Sequence, residues 1–317
     1  MKLLWLLYPA LLAAQCSTIP EVQGDGARSP CVDRTVTLSG VVTGAFPGMQ
    51  GFFLQDPAGD GRAETSDGVF VFGVSNNLPE PGAAVRATGR LIEFTRAGNP
   101  GSVTEIDLRN GGSFQMTGTA PLPRAVILDP VGGDAEALER YEGMLVAYPA
   151  SVVVSPSTRF GEYLAVRWDR MPPSVRLFPV TISDAAPLMI DQSGGLYRKN
   201  TKVFDLVPPV TGVLHFDFGT YRLEPASDYG VSDGGLTPTS LNTPPAFLRT
   251  AFMNCQRLVR QLTPQALELK LAKLALAIRE QLGSPDVVAV AEVEDLELLE
   301  SLGTRAGNYK AVLLKGC

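Results

Sequence analysis

The chain has 317 residues, and its 45% hydrophobic content is that of an ordinary globular protein, long enough for two or three domains. A formal net charge of -6 argues against a broadly basic surface, and no run of Lys and Arg supplies the concentrated patch that nucleic-acid binders usually carry. An acidic balance does not exclude a nuclease, because a divalent metal and a local groove can supply positive charge where phosphate binds.

Residues 1–15, MKLLWLLYPALLAAQ, place one Lys before a short apolar core and close with the small residues of Leu12-Ala13-Ala14. That is the pattern of a secretory signal. Cys16 follows, but Gln15 is not the small residue that a lipoprotein signal wants before its Cys. Secretion, or release into the periplasm, is therefore expected over lipid anchoring at Cys16. No other stretch is long and apolar enough to span a bilayer. Export permits disulfides. Cys16, Cys31, Cys255 and Cys317 allow three pairings, among which sequence does not choose. A Cys16–Cys31 bond would tie the amino-terminal arm to the first strand, and a Cys255–Cys317 bond is its complement.

Residues 20–123 read as an all-β module. Apolar residues alternate or cluster over Val36–Thr43, Gly51–Gln55, Gly68–Phe72, Ala84–Phe94 and Val103–Ile106, with Gly and Pro between. Five short strands predict a small barrel or sandwich, with an OB-like barrel leading. Between them, Asp56-Pro-Ala-Gly-Asp60-Gly61 and Thr65-Ser-Asp67-Gly68 form an acidic, Gly-rich loop. Asp56, Asp60 and Asp67 are candidate Ca²⁺ ligands, since hard cations take carboxylate and carbonyl oxygens. The EF-hand spacing is not met: Arg62 stands where a third acid would, and no late Glu follows. Asp-Gly turns are also ordinary hairpin chemistry. Phe46, Phe52, Phe53, Phe70 and Phe72 offer a stacking face for single-stranded nucleic acid. The stronger expectation is that alternating Phe70 and Phe72 fill the barrel core.

Residues 124–228 read as a degenerate copy of that module. Gly143–Val154 is a long first strand and Gly161–Arg167 a second. Val210–Phe218 aligns with Val85–Phe94, and Tyr221–Glu224 with Val103–Ile106. The chain is thus expected to carry two β modules in tandem. Tyr197, Arg198, Lys199 and Lys202 form a modest basic cluster, expected to be a solvated turn. Residues 229–246, rich in Gly, Ser, Thr and Pro, are expected to be an inter-domain linker.

The pattern changes over residues 247–317. Leu248–Asn254 is a short apolar strand ending in a polar residue. Thr263 and Pro264 have the residue types of an N-cap and a first helical position. Leu267, Leu271, Leu274 and Ile278 then recur at spacings of three and four, and Gly283 ends the helix. In PDVVAVAEVED, residues 285–295, Val287–Val290 read as a strand buried on both faces. That strand delivers the carboxylates of Glu292, Glu294 and Asp295 at its C-terminal end. A β-α-β unit implies a parallel pair with a right-handed crossover, which puts Asn254 and Glu292 at the same end of neighbouring strands. Acidic residues after a strand also serve simply to solvate the next turn. Tyr309–Lys315 reads as a third strand.

AFMN at 251–254 and AEVED at 291–295 resemble the opening of the endonuclease/exonuclease/phosphatase superfamily, whose members begin with a strand ending in FN and a second ending in QE or xEIEN. The resemblance covers about the last seventy residues. It implies the start of an α/β sandwich in which Asn254 touches the scissile phosphate or the metal-bound water. It makes Glu292 the ligand of Mg²⁺, or of Mn²⁺ in its place. Arg257 stands where the family's FNxxN pattern has its second Asn, so no role carries over there. A second resemblance spans about a hundred residues: EVQGDGARSP at 21–30, VTLSGVVTG at 36–44, GFFLQDPAGDG at 51–61 and TSDGVFVF at 65–72 are similar to the OB-like module near the amino terminus of large secreted bacterial nucleases of this superfamily.

Together these imply an exported, metal-dependent nuclease acting on DNA or RNA. Mg²⁺ polarises the phosphate and lowers the pKa of water, and a positioned His–Asp pair handles the attacking water or the phosphate. The single histidine, His215, lies on a strand of the second β module, before Asn254, and is expected to be structural. The strands that would bring the family's remaining Asp, Asn and His residues do not occur before Cys317. The chain is therefore expected to be the amino-terminal portion of a longer protein, and by itself not to hydrolyse phosphodiesters at a useful rate. The alternative is a non-catalytic exported protein whose β modules bind nucleic acid, glycan or another protein.

Overall fold

Alternation of apolar and polar residues over the first 120 positions closes into a barrel. In the computed structural model, which describes residues 16–128, 135–170, 187–192, 194, 197–235 and 246–314, the barrel strands are β1 (Thr35–Phe46), β2 (Gly51–Gln55), β3 (Gly68–Phe72), β4 (Ala83–Phe94) and β5 (Val103–Asp107). They bond in the order β1-β2-β3-β5-β4, and β4 returns to β1. The β3–β5 pair is parallel and the others are antiparallel. The twelve-residue β1 serves two neighbours, pairing with β4 along Thr35–Val41 and with β2 along Val41–Phe46. A further strand, β6 (Ser113–Thr119), runs along β4. Leu38, Val42, Phe52, Leu54, Val69, Val71, Val85, Leu91 and Ile106 fill the interior. Each such side chain contributes about 1.5–3 kcal/mol on leaving water.

The amino-terminal arm is held against this barrel. Helix α1 (Ile19–Gln23) starts at Thr18, whose side chain and that of Glu21 form a reciprocal capping box. Ile19, Val22 and Cys31 are buried in the barrel core, and Cys16 is bonded to Cys31 across 6.1 Å between Cα atoms. Cys255 is a free, buried thiol, and Cys317 lies outside the described residues.

The second module contains β7 (Val126–Ile127), α2 (Ala135–Glu139), β8 (Leu145–Tyr148), β9 (Ser151–Ser155), β10 (Tyr163–Arg167), β11 (Leu188–Ile190), β12 (Leu206–Val207), β13 (Val210–Asp217) and β14 (Thr220–Pro225). Its sheet order is β12-β9-β10-β11-β14-β13-β8-β7. The long strand expected over 143–154 is broken at Pro149-Ala150. β8 pairs with β13, and β9 pairs with β10. Proline has no N–H to give a ladder, so the strand kinks where it changes partner. The two pieces take the places of the two halves of β1. β10, β11, β13 and β14 then take the places of β2, β3, β4 and β5, and β11–β14 is again the parallel pair.

The two β modules form one compact unit, residues 1–235. The seam between them corrects the expectation for the phenylalanines. Alternation sends Phe52, Val69 and Val71 into the barrel, and Phe53 and Phe70 out of it. Phe46, Phe53 and Phe70 pack with Leu145 and Val213 of the second module. They therefore neither fill the first barrel nor offer bases a stacking face. Polar side chains complete the seam: Ser66 Oγ donates to Glu142 O at 2.5 Å, Thr104 N to Glu142 Oε1 at 2.9 Å, and Leu145 N to Gln55 Oε1 at 2.8 Å.

The expected linker begins later than residue 229. Tyr229 is buried, its hydroxyl accepts from Tyr163 at 3.1 Å, and Ser232 bridges Leu206 through two backbone bonds. A large aromatic ring with a partner for its hydroxyl draws 229–235 into the module. Residues 236–245 lie outside the described residues. Among the described residues, no helix is long and apolar enough to cross a membrane.

The second unit, residues 236–317, is built on β15 (Thr250–Leu258), α3 (Pro264–Leu276), β16 (Val287–Val293) and α4 (Leu296–Gly307). β15 and β16 are parallel. Thr263 caps α3, accepting from Ala266 N at 3.3 Å, and the helix runs on through a π turn, Ala277–Gln281. Asp295 caps α4, accepting from Leu298 N at 2.9 Å. Leu258, Leu271, Ala275, Ile278, Leu298, Leu302 and Ala306 form the core beneath one face of the sheet.

Two expectations fail here. β16 is not buried on both faces: its residues alternate between exposed and half-buried, and Val287 is 52% exposed, because both helices lie on one side. Residues 309–314 form no strand. After Asn308 turns through φ 61°, Tyr309 N bonds back to Gly303 O and the Tyr309 hydroxyl donates to Pro285 O. That pinning leaves a groove of about 690 Å³ lined by β16, α4 and residues 309–314, and among the described residues no strand pairs with the outer edge of β16.

Candidate functional site

Asn254 and Glu292 meet at the carboxyl end of the parallel pair. Asn254 lies opposite Ala291, so the next residue of β16 carries its carboxylate beside the amide. Asn254 Nδ2 donates to Glu292 Oε1 at 2.8 Å, and Arg257 N donates to Glu292 Oε2 at 2.9 Å. Asn254 Oδ1 accepts from Gln256 N at 2.7 Å. The ladder breaks at this point: Cys255, Gln256 and Arg257 stand opposite the single residue Glu292 before pairing resumes at Leu258 and Val293. Gln256 (φ 48°), Arg257 (φ 63°) and Glu292 (φ 59°) all adopt left-handed backbone. Such conformations cost about 1–3 kcal/mol each and cluster at functional sites.

The two neighbouring carboxylates have structural partners. Glu294 accepts from Arg260 N at 2.6 Å. Asp295 accepts from the Arg260 guanidinium at 2.5 Å, and that hydrogen bond holds its carboxyl below the usual range. Glu292 and Glu294 are both exposed, and of the three carboxylates Glu292 is the one that lies beside a side-chain amide. An adjoining depression of about 370 Å³ is lined by Asn254, Gln256, Lys270 and Lys273. Sequence reading missed these lysines, although their spacing of three on α3 puts them on one face. Lys270 Nζ donates to Gln256 O at 2.6 Å. Burial pushes the nearby Cys255 thiol up, with Lys270 opposing it. One carboxylate, an amide and open solvent suit Mg²⁺, which is bound through one or two carboxylates and completes its shell with water and substrate phosphate.

Asp56, Asp60 and Asp67, the candidate Ca²⁺ ligands, share one loop, with Asp56 N donating to Asp67 O at 2.9 Å. Asp56 Oδ1 accepts from Ala58 N and Gly59 N, at 2.9 and 3.3 Å. Asp60 accepts from Arg62 N and from Thr65 Oγ1, both at 2.8 Å. The bonds from backbone N–H groups are turns that shape the loop, and the bond from Thr65 joins two side chains across it. Burial, and then the charge of Asp60, raise the Asp67 carboxyl. The basic cluster is likewise spent on the fold: Lys199 pairs with Asp228, and Lys202 with Asp205 and Asp233.

Among the described residues, ligand-type atoms gather elsewhere, at Asp191, His215 and Glu224. Asp191 follows β11, His215 lies on β13 and Glu224 on β14, and all three are buried. Arg222 Nη1 donates to Asp191 Oδ2 at 2.7 Å and lies 3.3 Å from Glu162 Oε1. Gly194 N donates to Glu224 Oε1 at 3.2 Å. Burial pulls His215 down to about 4 and pushes Glu224 up to about 9, so with no ion present the imidazole is neutral and Glu224 holds a proton at neutral pH. In the sequence, alternation puts Arg222 and Glu224 on one face of a strand, but nothing there shows that the other module covers that face.

No family model matches the chain, and no curated protein matches it. Among solved structures, one described as "Molecular basis for abrogation of activation of pro-inflammatory cytokines" aligns with 64% of this chain and 94% of its own at 10% identity and a TM-score of 0.24. A likeness that low carries no argument about fold or function.

Proposed function

We propose that the chain belongs to an exported, metal-dependent nuclease of the endonuclease/exonuclease/phosphatase superfamily. In this reading two OB-like β modules precede the start of its α/β sandwich. The observation that carries the reading is the 2.8 Å bond between Asn254 and Glu292 at the carboxyl end of β15 and β16, where the ladder breaks. Ligands of open α/β sheets bind outside the carboxyl ends of the strands. The circuit β1-β2-β3-β5-β4-β1 supports the other half of the reading, since an OB barrel is a five-stranded Greek-key barrel.

In this reading Glu292 holds the cation, and Asn254 and the Arg257 N–H fix the rotamer of its carboxylate. Lys270 and Lys273 draw the phosphodiester toward Asn254. Bound Mg²⁺ supplies polarisation of the phosphate and a more acidic water. The Cys16–Cys31 disulfide fits an exported protein.

The test is cleavage of linear DNA and of RNA by the protein at the full length of its reading frame, in Mg²⁺ and in EDTA, beside Glu292→Ala. Mg²⁺-dependent cleavage falling by about 100-fold or more in the variant is the expected outcome, on the scale of losing one preorganised charge-stabilising group. Cleavage that survives EDTA, or that Glu292→Ala leaves intact, contradicts it.

One groove favours a second reading, a binding role for the β modules. It measures about 380 Å³, is lined by Phe72, Phe94, Arg96, Glu105 and Phe218, and has Arg96 stacked 4.1 Å from the centre of the Phe218 ring.

A further inference from the structure

The nuclease reading leaves the buried polar cluster of the second β module without a role. Asp191, His215 and Glu224 are 1%, 2% and 1% exposed, and one ligand atom from each lies within 4.8 Å of the others. His215 Nε2 and Glu224 Oε2 are both shut off from solvent and have no hydrogen-bond partner. An unmade hydrogen bond at a buried polar atom costs about 1–3 kcal/mol, and native structures seldom keep one without a water or an ion to satisfy it. Here two such atoms sit in one cluster, and both are metal-ligand atoms.

We propose that Asp191, His215 and Glu224 form a structural site for a first-row divalent cation, with Zn²⁺ the best match. An imidazole with two carboxylates is a donor set that Zn²⁺ accepts. Ca²⁺ and Mg²⁺ prefer oxygen alone, which argues against them where a histidine contributes. Zinc bonds of about 2.1 Å put tetrahedral donors about 3.4 Å apart. His215 Nε2 and Asp191 Oδ2 are already 3.9 Å apart, so a small closure brings them into range.

The surroundings fit the same role. Ligating carboxylates are held by hydrogen bonds from behind, and Arg222 Nη1 and the Gly194 N–H hold Asp191 and Glu224 in this way. A side chain at residue 194 would bring its Cβ to 2.5 Å from Glu224 Oε1, so only Gly allows the carboxylate to sit there. His215 also lines the groove between the modules. Strands β11, β13 and β14 would be pinned together by the ion, so its effect is on stability.

The test uses untagged protein carrying Glu292→Gln, stripped with EDTA and then dialysed against Zn²⁺. One zinc per chain by elemental mass spectrometry, together with a raised melting temperature, is the expected result. His215 is the chain's single histidine, so a zinc-induced shift of an imidazole resonance is assigned to it without ambiguity. In the same background His215→Gln and Glu224→Gln should each lose the zinc and the rise in melting temperature. Should both variants fail to fold, visible absorption of the Co²⁺-loaded parent decides, through the d–d bands of a four- or five-coordinate site. Absence of retained zinc in the parent overturns the proposal, as does an unmoved His215 resonance, or zinc held equally by a folded His215→Gln protein. Because Glu292 is removed throughout, neither result bears on the nuclease reading.

Discussion

Glu105 shows what burial does to a single ionisable side chain here. It lies on β5, is 3% exposed, and has one carboxyl oxygen, Oε1, with no partner. Burial first, and then the charge of Asp107, push its carboxyl up to about 8. Its pKa is raised on folding, so its contribution to stability is complete below about 4.5 and is lost as pH rises through about 8. Between those values the group makes stability fall by up to about 1.4 kcal/mol per pH unit. Urea midpoints measured from pH 4 to 9 should therefore decline less in Glu105→Gln than in the parent. Identical slopes would show that Glu105 does not keep its proton in the folded state. The buried Glu224, raised to about 9, acts in the same direction, which is why the difference between the two proteins is the quantity to read. At this scale the β-α-β pattern put Asn254 and Glu292 at the same end of neighbouring strands, and the resemblance of AFMN and AEVED to the superfamily singled them out. The sequence did not show the Asp191–His215–Glu224 cluster, whose members are 33 residues apart at the extremes and are made special by burial.

Elements were legible wherever periodicity and punctuation agreed. The five strands of the first barrel and the unit from β15 to β16 fall close to where alternation, Gly and Pro put them. β6 was missed because SFQMTGT is mostly exposed and shows no apolar face. The segment 309–314 was misread because YKAVLL has the composition of a strand, while its position is set by the bonds of Tyr309 to Gly303 and Pro285. The arm bearing α1 depends on a covalent tie. The Cys16–Cys31 bond closes a loop of 15 residues, and a loop of that length stabilises by about 3 kcal/mol through the unfolded chain. Reduction, or Cys16→Ser with Cys31→Ser, should lower the melting temperature of the protein. An unchanged melting curve would mean that Ile19 and Val22 hold the arm by packing alone.

At the scale of the whole molecule, two β modules with the same strand circuit share one seam, and a separate unit carries the exposed Asn254–Glu292 pair. The tandem was readable because Val210–Phe218 and Tyr221–Glu224 repeat the pattern of β4 and β5. The seam was not readable, because Phe53 and Phe70 look like core residues of one barrel until a second module covers them. In the second unit both helices pack on one face of a two-stranded sheet, so the other face leaves Phe252 70% exposed. The central claim is that Glu292 holds a divalent cation beside Asn254. Its most direct test is titration of Mn²⁺, the paramagnetic substitute for Mg²⁺, into protein whose His215 is replaced by Gln, followed by electron paramagnetic resonance. The account predicts one bound Mn²⁺ per chain, displaced by Mg²⁺ and lost in Glu292→Gln. Binding that Glu292→Gln leaves unchanged, or no bound Mn²⁺ in the parent, would contradict it.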